Sequence, residues 1–118
     1  MQFFRRIGTQ TFMPTIIFIE HDGTEHSVNV PVGLSLMEGA VYNGVLGIYA
    51  DCGGDGGCAT CQVYVAEEWL ARLGEKSCKE VSTLRFAFEP ANNSRLSCYI
   101  EVTEELDGLT VRMPERQF

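Results

Sequence analysis

The spacing of the cysteines limits what this chain can fold into more than any other feature of its sequence. Three of its five cysteines follow the spacing Cys-x5-Cys-x2-Cys, at Cys52, Cys58 and Cys61, and Cys98 comes 36 intervening residues later. An odd count with three cysteines this close fits a disulfide framework poorly. Three thiolates on one loop and a fourth from a distant segment suit a [2Fe–2S] cluster. The spacing therefore predicts a metal site of four cysteines in a reducing compartment.

The residues between the first two of these cysteines favour the same interpretation. Four of the five residues in 53–57 are glycine, and the fifth is Asp55. A loop that wraps a metal centre needs positive φ at several positions and a close backbone approach, which glycine allows at low cost. The N–H groups of such a loop can point at the sulfur atoms of an anionic cluster and influence its reduction potential.

Three other kinds of site compete for these residues. Structural zinc also takes four cysteines, but usually as two short Cys-x2-Cys pairs, and here only Cys58 and Cys61 form one. Disulfides within the loop are a second alternative. A phosphate-binding loop is excluded, because no Gly-Lys-Ser/Thr follows the glycines. A zinc-stabilised structural or interaction module therefore stays open beside the [2Fe–2S] cluster.

Length and charge exclude several classes of protein. A chain of 118 residues is expected to form one domain, and a formal net charge of −7 without a lysine or arginine cluster argues against binding nucleic acid. No apolar run approaches the roughly 18 residues of a membrane-spanning helix. Residues 1–12 lack the apolar segment of a secretory signal, so we treat them as an N-terminal extension of uncertain origin and expect the domain to span 13–118.

Local patterns in the first half predict a hairpin and a helix. Asp22-Gly23 lies between two β-rich runs, 15–20 and 25–30, which is a strong hairpin signal. Ser35-x-x-Glu38 is a capping box that begins an amphipathic helix. This helix is expected to stop at Gly44 and to bury Leu36, Met37, Ala40 and Val41.

The second half is predicted to complete a small α+β domain. A second capping box, Ser77-x-x-Glu80, begins a helix that runs to about Phe88. A brief helix is expected at 67–73, and the chain ends in an exposed tail at 114–118. Strands are expected at 62–65, 95–102 and 109–113, the second of which carries Cys98. The order of elements indicates a mixed sheet packed on one main helix.

The cysteine segments and the chain end resemble a known family. The chain is similar to the adrenodoxin/putidaredoxin-type [2Fe–2S] ferredoxins of the bacterial, monooxygenase-linked branch at DCGGDGGCATCQVYV (51–65), RLSCYI (95–100) and PERQF (114–118). The similarity extends over about 13–118, and plant-type ferredoxins differ in having Cys-x4-Cys-x2-Cys. The resemblance implies a β-grasp (2Fe-2S ferredoxin-like) fold and one [2Fe–2S] cluster, with the ligands Cys52, Cys58, Cys61 and Cys98.

The same resemblance implies a soluble, cytoplasmic electron carrier, which we expect to be a monomer. Single electrons would pass from an FAD-containing, NAD(P)H-dependent ferredoxin reductase to a cytochrome P-450, a haem-thiolate monooxygenase. Four cysteines leave the irons no open position for a substrate, so the chain is not expected to be an enzyme. A related alternative donates electrons to iron–sulfur cluster assembly, and such ferredoxins generally lack an Arg-Gln-aromatic end.

Partner contacts are expected at three residues. Asp51 keeps the acidic residue that the family has beside the first ligand, and Phe118 occupies the place of the terminal aromatic that contacts the monooxygenase. The helix at 77–88 is an acidic docking surface in many relatives, but here it carries Lys79 and Arg85. We therefore expect partner recognition at Arg85 to differ from that of those relatives.

Three further residues near the ligands are assigned provisional roles. Gln62 stands where the family usually has a histidine; its amide can donate a hydrogen bond but cannot titrate. Arg95 matches the family and is expected to orient the strand that carries Cys98. Cys78 lies outside the ligand pattern, and we interpret it as an incidental free thiol.

Overall fold

In the part of the chain that the structure describes, a mixed sheet of five strands and three short α-helices form the fold. The computed structural model describes residues 13–45, 61–115 and 117. The strands are β1 (Thr15–Ile19), β2 (Glu25–Asn29), β3 (Gln62–Val65), β4 (Ser94–Leu96) and β5 (Thr110–Arg112). The helices are α1 (Leu36–Tyr42), α2 (Glu67–Leu70) and α3 (Cys78–Leu84), with 3-10 turns at Ala71–Leu73, Ser97–Tyr99 and Glu104–Leu106. No helix in the described ranges is long and apolar enough to cross a membrane.

The last strand lies in the middle of the sheet. The strand order is β2-β1-β5-β3-β4, in which β5 runs parallel to β1 and antiparallel to β3. Phe18 pairs with Val111, and both side chains are fully buried. On the inner side, Leu36 and Ala40 of α1 join the same apolar core. This arrangement confirms the predicted α+β, β-grasp fold.

The hairpin of β1 and β2 forms as predicted. The strands pair antiparallel with Ile17 opposite Ser27. The Asp22 carboxylate accepts a 3.0 Å hydrogen bond from the Thr24 N–H, and Gly23 has φ +97°, a conformation that side chains with a Cβ rarely adopt. The short turn therefore follows directly from its sequence.

Helix α1 begins with the predicted capping box but turns a different side to the core. The Glu38 N–H donates to Ser35 Oγ at 3.0 Å, and the Ser35 N–H donates to the Glu38 carboxylate at 2.8 Å. Leu36, Met37 and Ala40 are buried as predicted, whereas Val41 is 41% exposed. The reason is Gly39, where a Cβ would lie 2.7 Å from Val30. The close approach at Gly39 turns the opposite flank of the helix, with Val41, to solvent.

Helix α3 is shorter than predicted, because the chain after it turns toward β3. It ends at Leu84 and not near Phe88. The Phe88 carbonyl instead accepts a 2.8 Å hydrogen bond from Gln62 Nε2, and the Glu89 carbonyl accepts one of 2.8 Å from the Tyr64 hydroxyl. These bonds fasten residues 88 and 89 to β3, and Glu89 has φ +46°, a backbone conformation that a continuing α-helix does not have.

The strand predicted over 95–102 stops at Leu96, and Cys98 lies on the 3-10 turn Ser97–Tyr99. The Ile100 N–H donates to the Ser97 carbonyl at 3.3 Å, which bends the chain away from the strand direction.

The tail at 114–118 was predicted to be exposed, and its described residues are in part buried. Pro114 is buried, and Gln117 is 2% exposed because its side chain bonds to the backbone of β3.

Candidate metal centre

Two of the four predicted ligands meet at one end of β3. Cys61 directly precedes this strand and is 1% exposed, and Cys98 lies half-buried on the turn that follows β4. The Cys98 thiol donates a hydrogen bond to the Cys61 sulfur. Together with weaker contributions from the Cys98 N–H and from Ser97, this bond lowers the pKa of Cys61 to about 7, although burial acts in the opposite direction. The fold thus brings together two thiols that are far apart in sequence.

Ser97 fixes the distance between the two cysteine segments. Its backbone N–H donates to the Cys61 carbonyl at 2.9 Å, and its hydroxyl donates to the same oxygen at 2.8 Å. Ser97 is fully buried, so these two bonds are not in competition with water. The turn that carries Cys98 is therefore fastened to the residue that carries the other thiol.

A buried ion pair holds β4 from the other side. Glu80 of α3 and Arg95 of β4 are 1% and 4% exposed. Arg95 Nε donates to Glu80 Oε2 at 2.8 Å, Arg95 Nη2 donates to Oε1 at 3.1 Å, and the Leu96 N–H donates to Oε2 at 2.9 Å. The expected role of Arg95 in orienting the segment of Cys98 therefore has a geometric basis. Glu80 makes only half of the predicted capping box, because Arg95 takes its carboxylate.

Gln62, the residue after Cys61, connects three segments of the chain. Its side chain is fully buried. Besides its bond to Phe88, it accepts a 2.6 Å hydrogen bond at Oε1 from the Ser94 hydroxyl of β4. Both ends of the amide are thus satisfied without a titrating group, as the sequence suggested for a glutamine at this position.

Gln117 is a positioning residue that the sequence analysis missed. Its Nε2 donates to the Gln62 carbonyl at 3.0 Å, and its Oε1 accepts from the Gln62 N–H at 3.2 Å. The side-chain amide of Gln117 thus pairs with the backbone N–H and C=O of a residue 55 positions away, as a neighbouring strand would. The only signal in the sequence was a glutamine inside the PERQF motif, and no local pattern pairs it with Gln62.

The remaining predicted site residues lie apart from the two thiols or outside the described ranges. Arg85 is exposed at the end of α3, and Cys78 is exposed as the first residue of that helix. Four predicted residues fall outside the described part of the chain: Asp51, Cys52, Cys58 and Phe118.

The described donors fit a metal site of the predicted kind. Two adjacent thiols, one of them with a lowered pKa, are the soft ligands that iron–sulfur clusters and zinc both use. Within 13–45, 61–115 and 117, no His, Cys, Asp or Glu joins them in a group of three. A four-cysteine site would therefore need its other two ligands from Cys52 and Cys58. The two thiols alone do not distinguish iron from zinc.

Comparison with known proteins makes that distinction. The family model of the 2Fe-2S iron-sulfur cluster binding domain matches residues 19–103. Ferredoxin CarAc from Sphingomonas sp is 51% identical over 102 residues, which cover 86% of this chain and 94% of that protein. Putidaredoxin from Pseudomonas putida is 42% identical over 107 residues, which cover 90% of this chain and 100% of that protein. These matches favour one [2Fe–2S] cluster over zinc.

Solved structures of similar ferredoxins share the fold of this chain. A ferredoxin from Rhodopseudomonas palustris HaA2 has a TM-score of 0.86 at 44% identity and covers 89% of this chain and 100% of its own. Putidaredoxin in a covalent complex with putidaredoxin reductase has a TM-score of 0.82 at 43% identity, over 86% and 99% of the two chains. An ISC-like [2Fe-2S] ferredoxin from Pseudomonas putida JCM 20004 is less similar, with a TM-score of 0.73 at 28% identity, over 90% and 96%.

Proposed function

This chain belongs to the putidaredoxin-type [2Fe–2S] ferredoxins, and we propose that it carries electrons from an FAD-containing, NAD(P)H-dependent ferredoxin reductase to a cytochrome P-450, a haem-thiolate monooxygenase. As a ferredoxin it is an electron carrier with one [2Fe–2S] cluster and not an enzyme. When bound, the cluster supplies a pair of irons that takes up and releases one electron. We propose as its ligands the four cysteines Cys52, Cys58, Cys61 and Cys98.

The described residues support this role by holding two thiols in a fixed arrangement. Ser97 ties the Cys98 turn to Cys61, and Glu80 with Arg95 anchors the strand that leads into the turn. A ligand set that is rigid before the electron arrives needs little rearrangement when the charge changes, and this favours fast transfer. The burial of Cys61 keeps water away from its side of the centre.

The position of the chain end is the observation that carries the choice of acceptor. Gln117 is buried against Gln62, the residue next to Cys61. The last residue of the chain thus follows a side chain that is fastened beside a proposed ligand. This arrangement supports Phe118 as a contact for the monooxygenase near the electron's point of exit, and Asp51, next to Cys52 in sequence, is proposed as a second contact.

A solved complex of a relative supports a reductase as the electron donor. Putidaredoxin has been solved in a covalent complex with putidaredoxin reductase, and it aligns with this chain over 99% of its own length. We therefore propose an enzyme of that class as the electron donor. A monomeric carrier in the cytoplasm, with 13–118 as its domain, completes the proposal.

Electron donation to iron–sulfur cluster assembly is the second candidate. It is supported by the match to the ISC-like ferredoxin. The 28% identity of that match is well below the 42% and 51% to putidaredoxin and CarAc, so the similarity favours the putidaredoxin-type ferredoxins over the ISC-like one.

A stopped-flow experiment tests the proposal. The cluster-loaded protein is mixed anaerobically with NADH and catalytic putidaredoxin reductase, and then with a haem-thiolate monooxygenase encoded beside its gene, under carbon monoxide. We expect bleaching of the visible absorption in the first step, and its return together with the ferrous–CO band of the monooxygenase in the second. Reduction without transfer to the monooxygenase, combined with support of cluster formation on an assembly scaffold, would favour the second candidate.

Shortening the chain tests the contact at Phe118. A protein that ends at Gln117 keeps the described anchor and loses only the terminal aromatic. We expect electron delivery to slow at least about tenfold, equivalent to ~1.4 kcal/mol, while the reduction potential stays nearly unchanged. Equal turnover of the two proteins at limiting carrier concentration would contradict the proposed contact.

A further inference from the structure

The charge of this chain is reversed locally around α3. The whole chain has a formal charge of −7, yet residues 72–85 contain four of its nine basic residues and two acidic ones. One of those two, Glu80, is buried in its ion pair with Arg95. The accessible charge around α3 is therefore positive on a protein that is negative overall.

A groove with apolar walls coincides with this positive charge. Two adjoining cavities of about 250 and 380 Å³ share Lys76 and Val81. We call their combined surface the α3 groove. Its charged lining residues include the cations Lys76 and Arg85 and one carboxylate, Glu75, and its apolar ones include Leu70, Val81 and Leu84.

The groove combines two cations, one of them held by a hydrogen bond, with accessible apolar surface. Lys76 is half-buried and donates to the Asn92 carbonyl at 3.2 Å, so its ammonium group is held at the edge. Arg85 is exposed, and Val81 between these cations is 43% exposed. Phe86, next to Arg85 in sequence, is 84% exposed, which is unusual for a large aromatic side chain outside an interface.

We propose that the α3 groove docks a partner protein through a segment that carries carboxylate side chains beside an apolar one. The two cations match carboxylates, and the exposed Val81 in the groove matches an apolar side chain. Phe86 adds exposed apolar surface next to Arg85 in the sequence. A partner with a basic surface would be attracted by the rest of this acidic chain and repelled here. The proposal rests on the carrier function in one respect, which is that a carrier must have a docking partner.

A peptide-binding assay tests the groove without electron transfer. The probe is a fluorescein-labelled peptide of alternating glutamate and leucine, compared by anisotropy at low salt with the same peptide containing glutamine for glutamate. We expect the cluster-loaded wild-type protein to bind the acidic peptide about tenfold more tightly than its neutral counterpart, and Arg85→Glu to remove that preference. Val81→Ser is expected to weaken both peptides, because it removes apolar contact and leaves the charge unchanged.

Arg112→Glu is the matched control. Arg112 is an exposed arginine of β5 outside the groove, and its reversal changes the net charge by the same amount. We expect it to retain the preference for the acidic peptide. Equal loss in both arginine variants, or no preference in the wild type, would overturn the proposal. So would a wild-type dimer that Arg85→Glu dissociates, since the occupant would then be a second copy of this chain. Because no electron acceptor is present, a failure here is distinct from a failure of the proposed acceptor.

Discussion

Replacing Glu80 by glutamine changes the charge of one buried carboxylate with almost no change of volume. The Glu80 carboxylate accepts three hydrogen bonds, two from the Arg95 guanidinium and one from the Leu96 N–H. An amide retains one acceptor oxygen and places an NH2 group against these donors. The variant therefore leaves the Arg95 charge buried without a counter-charge, two residues before the strand passes into the turn of Cys98.

The expected cost follows from that burial. Arg95 is 4% exposed, so solvent cannot replace the lost partner. Breaking a buried ion pair by removing one member costs about 3–5 kcal/mol. At about 4 °C per kcal/mol for a chain of this size, the midpoint of thermal unfolding should fall by roughly 12–20 °C.

Heating the cluster-loaded protein at a fixed scan rate measures the effect. Loss of visible absorption reports the metal site, and far-ultraviolet circular dichroism reports the fold. Glu75→Gln is the control, because Glu75 is exposed five residues earlier in the chain, and its midpoint should not move. The double variant Glu80→Met with Arg95→Met should recover much of the loss, since no charge then remains buried. A fall of less than about 4 °C in Glu80→Gln would refute the reasoning.

Three further predictions follow from the described contacts. Cys61→Ser and Cys98→Ser should each lower the iron and sulfide content of the purified protein, and Cys78→Ser should not; loss of iron in Cys78→Ser would contradict the ligand assignment. Gln117→Ala removes both bonds to Gln62, so it should reduce the free energy of unfolding in urea by about 1–3 kcal/mol, and an unchanged midpoint would show that the tail is not anchored there. The Thr24 N–H lowers the pKa of Asp22 below 3.8, so the hairpin is stabilised above that pH and loses this contribution as pH falls through the lowered pKa; an NMR titration with a value at or above 3.8 would contradict this.

Local chemistry was the predictable part of the fold. The hairpin turn at Asp22-Gly23 and the capping box of α1 each depend on residues within three or four positions of one another, and both formed as expected. The convergence of Cys61 and Cys98 was also predictable, because the metal site predicted from the cysteine spacing would require it whatever the path of the chain between them.

Long-range polar pairing was not predictable from local patterns. Glu80 looked like the second half of a capping box, but an arginine 15 residues away takes its carboxylate. Gln117 looked like part of an exposed tail, and its partner is 55 residues away. In both cases a buried group with unmet hydrogen bonds determined the outcome, and only the three-dimensional arrangement shows which groups are buried together.

The central position of β5 has a consequence for how the cell makes this protein. Residues 110–112 fill the space between β1 and β3, so a growing chain on the ribosome cannot close its sheet until these residues have been synthesised. Until then β1 and β3 present unpaired edges to other chains. A prematurely terminated product would keep those edges and would hold β3, with Cys61 at its start, unsupported on one side. Support of β3 on that side therefore requires synthesis to proceed at least through residue 112.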